Sequence, residues 1–510
     1  GVLAPEDAGP INPGPAPNPC GPLQDPYGSD INGDCLGDLV IGAPGVLAPD
    51  GTTTTPNARL QVVVAKATTL PNPTPADVFE VVTNITGDST HGRLGASLAI
   101  DPRRLPDGRR YLLAGEPNPL AYGRVVRFLL PLADEGLSFR GKKSGWFGDG
   151  FGSSVVAAGG EGNFLSAVVG TGLTNANANA TAEGMIVTAA RFEELSSAAT
   201  LYTPDQLYPN ATGQLQPRAL FRIDDQDGDG RSDIAVSGVG LSVLGQAAGV
   251  LVLSSADLTV HAELAPPAGA DASFGWAIAS TPDFDNDGQT DLAISAPKEG
   301  NGKVYIRLSG GGFLTVLPAV EEPTVRGGFG FEVSLIGDLD DDGIVDLGVG
   351  EPFWDNNDLD TATGQPKFPS TVQECETLRG DGYTGNCSGR FSFVRGKDLA
   401  DLAAGDDINA VVCARGEGGL RLGHSLAPID EHFAGTTPDG ATFAIGAPGH
   451  LGEGGIVFVL RPGRITQRNN PTRWVCADSA VPIKFAYVEE DAAGVISAIP
   501  GTYFGESLAR

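Results

Sequence analysis

The chain has no surplus of positive charge: 33 Lys and Arg stand against 63 Asp and Glu, a formal net charge of −30 over 510 residues. Nucleic acid is held by cations that displace phosphate counterions, so this balance excludes it as a partner. Acidic membrane surfaces are disfavoured for the same reason. Long hydrophobic runs are missing as well. The longest, such as Val62–Val64 or Phe128–Leu132, fall far below the roughly 18 residues that cross a bilayer as a helix, so no membrane span is expected in this chain. Histidine is scarce, and His91, His261, His424, His432 and His450 form no metal-binding spacing. Gly423–Ala427 and Gly505–Ala509 resemble a serine-hydrolase elbow but lack its final glycine, and Gly416–Gly419 has no nucleotide-binding setting. With no catalytic constellation visible, the chain does not read as an enzyme.

What is plentiful is turn-forming backbone. Together, 72 Gly, 38 Pro and a 41% hydrophobic content indicate many short strands around a real core, and exclude long helices as the main building material. Seven of the eleven residues Gly9–Pro19 are Gly or Pro, so residues 1–29 read as a proline-rich segment, a linker or mature terminus, ahead of a folded region at 30–510. The cysteines are even in number. Cys20 lies near Cys35 and Cys375 near Cys387, which points to disulfides and an oxidising compartment. The proline-rich segment is then tied down through Cys20. Cys413 and Cys476 follow matching strand elements in neighbouring repeats, and a bridge between them is expected too.

Three elements recur. Asp30–Pro44, Asp225–Val239, Asp283–Pro297 and Asp338–Pro352 are each an acidic loop, a short strand and a Gly-Ala-Pro-like turn, with 14 positions from first Asp to last residue. A Phe-Gly-like start opens six segments, at Leu94, Phe151, Phe274, Phe329, Leu422 and Phe504. In two intact copies it precedes the first Asp by nine residues, 274 to 283 and 329 to 338. After each turn comes a Gly or Ala and then alternating β-branched residues, as a strand with a buried face requires. These third elements begin near 58, 123, 184, 249, 302, 389 and 455, making seven copies. The chain ends on a repeat start, Phe504-Gly505, while its first copy has the loop and turn but no such start. The two halves complete one another if the array closes. The expected fold is therefore all-β: a seven-bladed β-propeller closed by pairing of its N- and C-terminal segments, which leaves no exposed strand edge at the join.

Phe-Gly starts, Asp-x-Asp-x-Asp-Gly loops and Gly-Ala-Pro turns resemble the FG-GAP repeats of the integrin α N-terminal propeller. The resemblance covers residue 30 to the end. It implies Ca²⁺ loops in hairpins on one face and ligand contacts on the other, without specifying the ligand.

The loops carry the chemistry. Oxygen donors at positions 1, 3, 5 and 9, with a backbone carbonyl at 7, wrap a hard cation, and Gly at 6 permits the bend. The expected ligands are Asp30, Asn32, Asp34, the Leu36 carbonyl and Asp38 in the first loop; Asp225, Asp227, Asp229, the Arg231 carbonyl and Asp233 in the second. The third offers Asp283, Asp285, Asp287, the Gln289 carbonyl and Asp291, and the fourth Asp338, Asp340, Asp342, the Ile344 carbonyl and Asp346. About four structural Ca²⁺ ions follow, since many flexible carboxylates suit Ca²⁺ better than Mg²⁺. The first loop departs from the pattern, with Cys35 where the others have Gly; a bridge to Cys20 would brace that turn.

Specificity is expected in two inserts, 353–388 and 461–503, with Trp354, Phe368, Tyr383 and Trp474 as candidate contact aromatics. Arg379, Gly380 and Asp381 sit between Cys375 and Cys387 and form a possible ligand-binding tripeptide. Asn84, Asn179, Asn210 and Asn386 match glycosylation acceptors. The expected function is a secreted or cell-surface, Ca²⁺-binding adhesion module for an extracellular protein or glycan. The alternatives are a structural subunit of an extracellular assembly, which would self-associate, and a hydrolase or lyase on a propeller scaffold.

Overall fold

The computed structural model describes residues 30–45, 58–66, 79–87, 92–102, 109–117, 123–130, 133–140, 151–157, 167–171, 186–189, 200–202, 216–239, 248–267, 273–319, 328–339, 342–354, 387–416, 420–429, 442–449 and 455–460, and beyond these the short strands between 465 and 509. Nearly every element is a strand, and the strands pair as antiparallel meanders. Among the described residues no helix is long and apolar enough to cross a membrane.

The second strand of each meander explains why its sequence is apolar throughout. In Leu39–Ala43, Leu39, Ile41 and Ala43 pack into one cluster with Ala427, Ile429, Ala444, Val457 and Val459, whereas Val40 packs on the opposite side with Leu60, Leu112, Ala114 and Phe128. Both faces of the sheet are covered, so the half-buried alternation gives way to a continuous apolar run. The same division separates Ala293, which joins Val304, Val333 and Val349, from Leu292 and Ile294, which join Val250, Val252 and Phe274.

These clusters define the blades and correct the expected number. Six blades, not seven, interlock through packed cores: 97–130, then 39–65 with 507–509, 425–459, 332–415, 278–317 and 216–264. Strands Phe151–Val156, Ala167–Thr171, Ile186–Ala189 and Thr200–Tyr202 form a further sheet, which touches the 97–130 and 216–264 blades but supplies no such cluster among the described residues. Its strands, FGSSVV, AVVGT, IVTA and TLY, shorten to four and then three residues, so they bring few positions to an inter-blade face. The repeat count gave this segment the same weight as the others.

Closure is by strand pairing. Ser507–Ala509 runs antiparallel to Leu39–Ala43, with Gly42 opposite Ser507 and Val40 opposite Ala509. Three pairs of adjoining sheets meet glycine to glycine, at Gly42 and Gly95, Gly115 and Gly152, and Gly350 and Gly423, while Gly275 and Gly330 meet Ser237 and Ser295. A Cβ on Gly42 would collide with the Gly95 carbonyl oxygen and Ser507 Oγ, and one on Gly350 would collide with the Gly423 carbonyl. Gly95 and Gly423 are the glycines of the Phe-Gly-like starts, at φ +85° and +87°, and each donates its N–H to a glycine carbonyl in its own blade, Gly115 at 3.0 Å and Gly446 at 3.2 Å. Serine hydroxyls extend the seams: Ser507 donates to the Gly95 carbonyl, Ser97 donates to the Gly152 carbonyl at 2.8 Å, and Ser280 accepts from Asp224 N–H at 2.7 Å.

Where the turn's alanine is replaced, the replacement is compensated. Glu116 pairs with Arg124, and Glu351 with Arg390, each Arg opening the following strand. Glu351 and Arg390 are fully buried, where an unpaired charge would cost several kcal/mol. Blade edges are also managed. Asp407–Asn409 leaves the 332–415 blade and adds a parallel fifth strand to Phe313–Leu317 of its neighbour.

Substituting Gly42 by Val should therefore lower stability by about 1–3 kcal/mol, read as a shift in the urea unfolding midpoint. A variant as stable as the parent would mean that this seam is loose.

Candidate metal centre

Each acidic loop leads into the second strand of a blade, and its last Asp opens that strand. Asp38, Asp233, Asp291 and Asp346 are buried, and each spends both carboxylate oxygens on backbone N–H groups. One oxygen closes the loop, accepting from Ile31 at 2.9 Å, Gln226 at 2.8 Å, Phe284 at 2.9 Å or Leu339 at 2.9 Å. The other reaches the end of the third strand, accepting from Ala65 at 2.8 Å, Ser255 at 3.3 Å, Ser309 at 2.8 Å or Gly396 at 2.9 Å. The ninth position is thus a clamp between three parts of the blade. Sequence reasoning assigned it only as a ligand; the signal for more was an Asp starting an otherwise apolar, buried strand, where it must find partners. Burial pushes the Asp38 carboxyl well up, and raises Asp233 and Asp291, against the N–H donors that pull them down.

The first position organises the turn. Asp225 accepts from Gly228 at 2.7 Å and Gly230 at 2.6 Å, Asp283 from Asp287 at 3.1 Å and Gly288 at 2.8 Å, and Asp338 from Asp342 at 3.1 Å and Gly343 at 2.6 Å. Asp30 repeats the arrangement with Gly33 at 2.7 Å and Cys35 at 3.2 Å. In Asp225 and Asp283 desolvation raises the carboxyl, but these N–H donors prevail and hold it below its usual range. The sixth position is left-handed in every loop: Cys35 at φ 67°, Gly230 at 84°, Gly288 at 95° and Gly343 at 88°. Nothing lies within 4 Å of a Cβ built on Gly230, Gly288 or Gly343, so glycine is there for its backbone and not for space. Cys35 adopts the same turn with the strain expected of a side chain there.

The carboxylates converge. One oxygen from each of Asp225, Asp227 and Asp229 lies within 4.8 Å of the other two, and Asp283, Asp285 and Asp287 do the same. These all-oxygen donors on a loop braced by its own N–H groups fit a hard divalent cation and offer nothing to a thiophilic one. In the first loop Asn32 accepts from Asp34 N–H at 2.9 Å and donates to Asp34 Oδ2 at 3.1 Å, and burial raises Asp34. The fourth is described at Asp338, Asp342 and Asp346; Asp340 lies outside the described residues. Of the expected carbonyl donors, Leu36, Arg231, Gln289 and Ile344 all stand at the turn after the fifth position, and Gln289 O lies 3.4 Å from Ser309 Oγ.

Cys35, Cys387 and Cys413 are disulfide-bonded. The side chains of Cys20, Cys375 and Cys476 lie outside the description, as do Arg379, Gly380, Asp381, Phe368, Tyr383 and the Trp474 side chain. Trp354 is buried, with the Arg390 guanidinium 5.5 Å from its ring centre, so it anchors its own turn.

The opposite end of the blades carries an aromatic strip that sequence reasoning missed. Trp276, Phe331 and His424 each follow a Phe-Gly-like start in successive blades. Their rings lie side by side, Trp276 to Phe331 at 5.4 Å and Phe331 to His424 at 4.8 Å. Phe353 meets Phe331 edge-on at 5.4 Å, and Lys298 Nζ lies 5.2 Å from the Trp276 ring. All four aromatic residues are half-buried. The signal was a bulky residue directly after Phe-Gly in consecutive copies.

The arrangement is a β-propeller whose repeats are similar to FG-GAP repeats. Residues 274–306, one Phe-Gly start through one acidic loop to the third strand, match the model of the FG-GAP repeat. More particularly, the chain resembles integrin α subunits, which are not enzymes. Human integrin alpha-7 is 29% identical over 172 residues, 31% of this chain and 14% of the relative. Integrin alpha-PS3 of Drosophila melanogaster is 29% identical over 149 residues, 26% of this chain and 13% of the relative. Integrin alpha-3 of Cricetulus griseus is 37% identical over 94 residues, 16% of this chain and 8% of the relative. The matches thus span about a seventh or less of these relatives' length.

Clamp and ligand roles separate experimentally. Asp291→Ala strands the N–H groups of Phe284 and Ser309 and should cost on the order of 3 kcal/mol even in chelator. Asp285→Asn, at an exposed position, should alter stability only when a divalent cation is present. Urea unfolding of both variants in each condition checks this, and equal behaviour of the two would refute the division.

Proposed function

We propose that this chain is an extracellular Ca²⁺-binding propeller that serves as a ligand-binding, adhesion-type module for a protein or glycan, secreted or displayed at a cell surface. The observation that carries the reading is the repeated acidic loop, whose carboxylates are gathered and left facing one another. Without a cation their mutual repulsion opposes the fold, and with one they become ligands whose binding energy adds to native stability. The proposed ligands are the four sets from Asp30 to Asp38, Asp225 to Asp233, Asp283 to Asp291 and Asp338 to Asp346, about four ions in all. The likeness to integrin α supports a surface or secreted setting, and the negative charge argues against nucleic acid as a partner.

In the same reading residues 1–29 form a proline-rich segment before a propeller spanning 30–510, with inserts at 353–388 and 461–503. Cys20 is proposed to bridge Cys35, Cys375 to bridge Cys387, and Cys413 to bridge Cys476. The aromatic strip at Trp276, Phe331 and His424 is the proposed contact surface, since half-buried rings give large contact area at low entropic cost. Arg379, Gly380 and Asp381 are a second proposed ligand contact.

Two measurements test this. Chelation should lower the thermal midpoint, and Ca²⁺ at a hundredfold excess over Kd should restore about 2.7 kcal/mol per site; an unchanged midpoint would sink the metal reading. On an array of matrix proteins and glycans, binding by the parent and its loss in Phe331→Ala are expected. Retention of all binding by Phe331→Ala would move the contact surface elsewhere.

A further inference from the structure

The fourth acidic loop carries a cation of its own. Arg395, directly after strand Arg390–Val394, donates from Nη2 to Asp342 Oδ2 at 3.0 Å and from Nη1 to Asp398 Oδ1 at 3.1 Å. The Arg395 and Asp342 side chains are only 18% and 12% exposed, and the other Asp342 oxygen accepts from Ile344 N–H at 3.0 Å. The fifth-position carboxylate is therefore engaged on both oxygens.

The register of the clamp shows that this is particular to one loop. The N–H that meets the ninth-position Asp comes from Ala65, Ser255, Ser309 and Gly396 in the four loops. The residue just before it is Val64, Ser254, Leu308 and Arg395. Only the fourth loop has a charge at that place. The second loop has Arg231 paired with Asp229 at 2.9 Å, but this partner lies within the loop itself and the pair is 33% and 27% exposed, so it swings aside at little cost. In the third loop no Lys or Arg among the described residues pairs with Asp283, Asp285 or Asp287. The hydroxyl of Ser309 meets Asp287 at 2.8 Å, and Gly310 N–H meets Asp285 at 3.1 Å.

We propose that Arg395 is a built-in counter-ion that makes Asp338–Asp346 a weaker and more readily emptied Ca²⁺ loop than Asp225–Asp233 and Asp283–Asp291. The proposal rests on the reading that these loops bind Ca²⁺. A dication entering there must displace the guanidinium from Asp342 or share the carboxylate with a like charge a few ångströms away, and the second anchor at Asp398 opposes displacement. In the empty loop Arg395 already offsets the Asp342 carboxylate, whereas no Lys or Arg among the described residues does this for the third loop.

The test is Ca²⁺ titration calorimetry on the whole chain, with the chelated thermal midpoint as a second readout. Arg395→Met should tighten one site at least tenfold, leave the others unchanged, and lower the chelated midpoint. Asp398→Asn should tighten the same site by a smaller factor, and Arg231→Met should change any site less than threefold. Folded Arg395→Met with unchanged affinities would overturn the proposal. Should Arg395→Met fail to fold, unchanged affinities in Asp398→Asn would overturn it equally. A parent chain that takes up no Ca²⁺ would refute the underlying reading and this proposal together.

Discussion

The fold depends on how closely two backbones approach at a blade seam. The glycine of a Phe-Gly-like start sits in a left-handed turn, and at three seams it presses its carbonyl against a glycine of the adjoining blade's turn, Gly95 on Gly42, Gly152 on Gly115 and Gly423 on Gly350, whereas Gly275 and Gly330 face Ser237 and Ser295. At Gly42, Gly115 and Gly350 a Cβ would collide with the facing carbonyl, so there the two most repeated features of the sequence are the two halves of one contact. Each blade is thereby set at a fixed distance from the next, and the apolar faces between them can interlock. Isolated bridges from Gly302 to Phe329 and from Gly389 to Leu422 carry the same seam one strand further out. Once that spacing is fixed, the turn's second position can vary, even to a buried Glu, provided that an Arg follows on the next strand.

The acidic loops use a second constraint, the need to satisfy buried polar groups. A carboxylate at the ninth position is costly to bury, and the blade meets the cost with backbone N–H donors from two different segments. That arrangement, together with the N–H groups held by the first position, sets the turn that carries the third and fifth side chains. The outer carboxylates remain available on a turn whose shape is already set, which is the condition for binding an ion without reorganising.

Much of this could be read from the residues. Spacing alone located the loops, the strand that follows each, and the pairing of Ser507–Ala509 with Leu39–Ala43. What was hidden depends on three-dimensional neighbours. The 151–202 sheet carries repeat signals but supplies no packed cluster among the described residues, so six blades and not seven interlock. The strip of Trp276, Phe331 and His424 escaped notice because its members are about 55 and 93 positions apart in the chain. Arg395 lies 53 positions from Asp342 and became significant only when the clamp register aligned it with Val64, Ser254 and Leu308.

The parallel strand Asp407–Asn409 has a mechanical consequence. It belongs to one blade yet is hydrogen-bonded to the edge of the next, opposite Thr315, Val316 and Leu317. A force that spreads these two blades loads the strap along its length, so its hydrogen bonds must yield together and not one after another. This seam is therefore tied by main-chain hydrogen bonds as well as by side-chain packing, and both must give way before the two blades part.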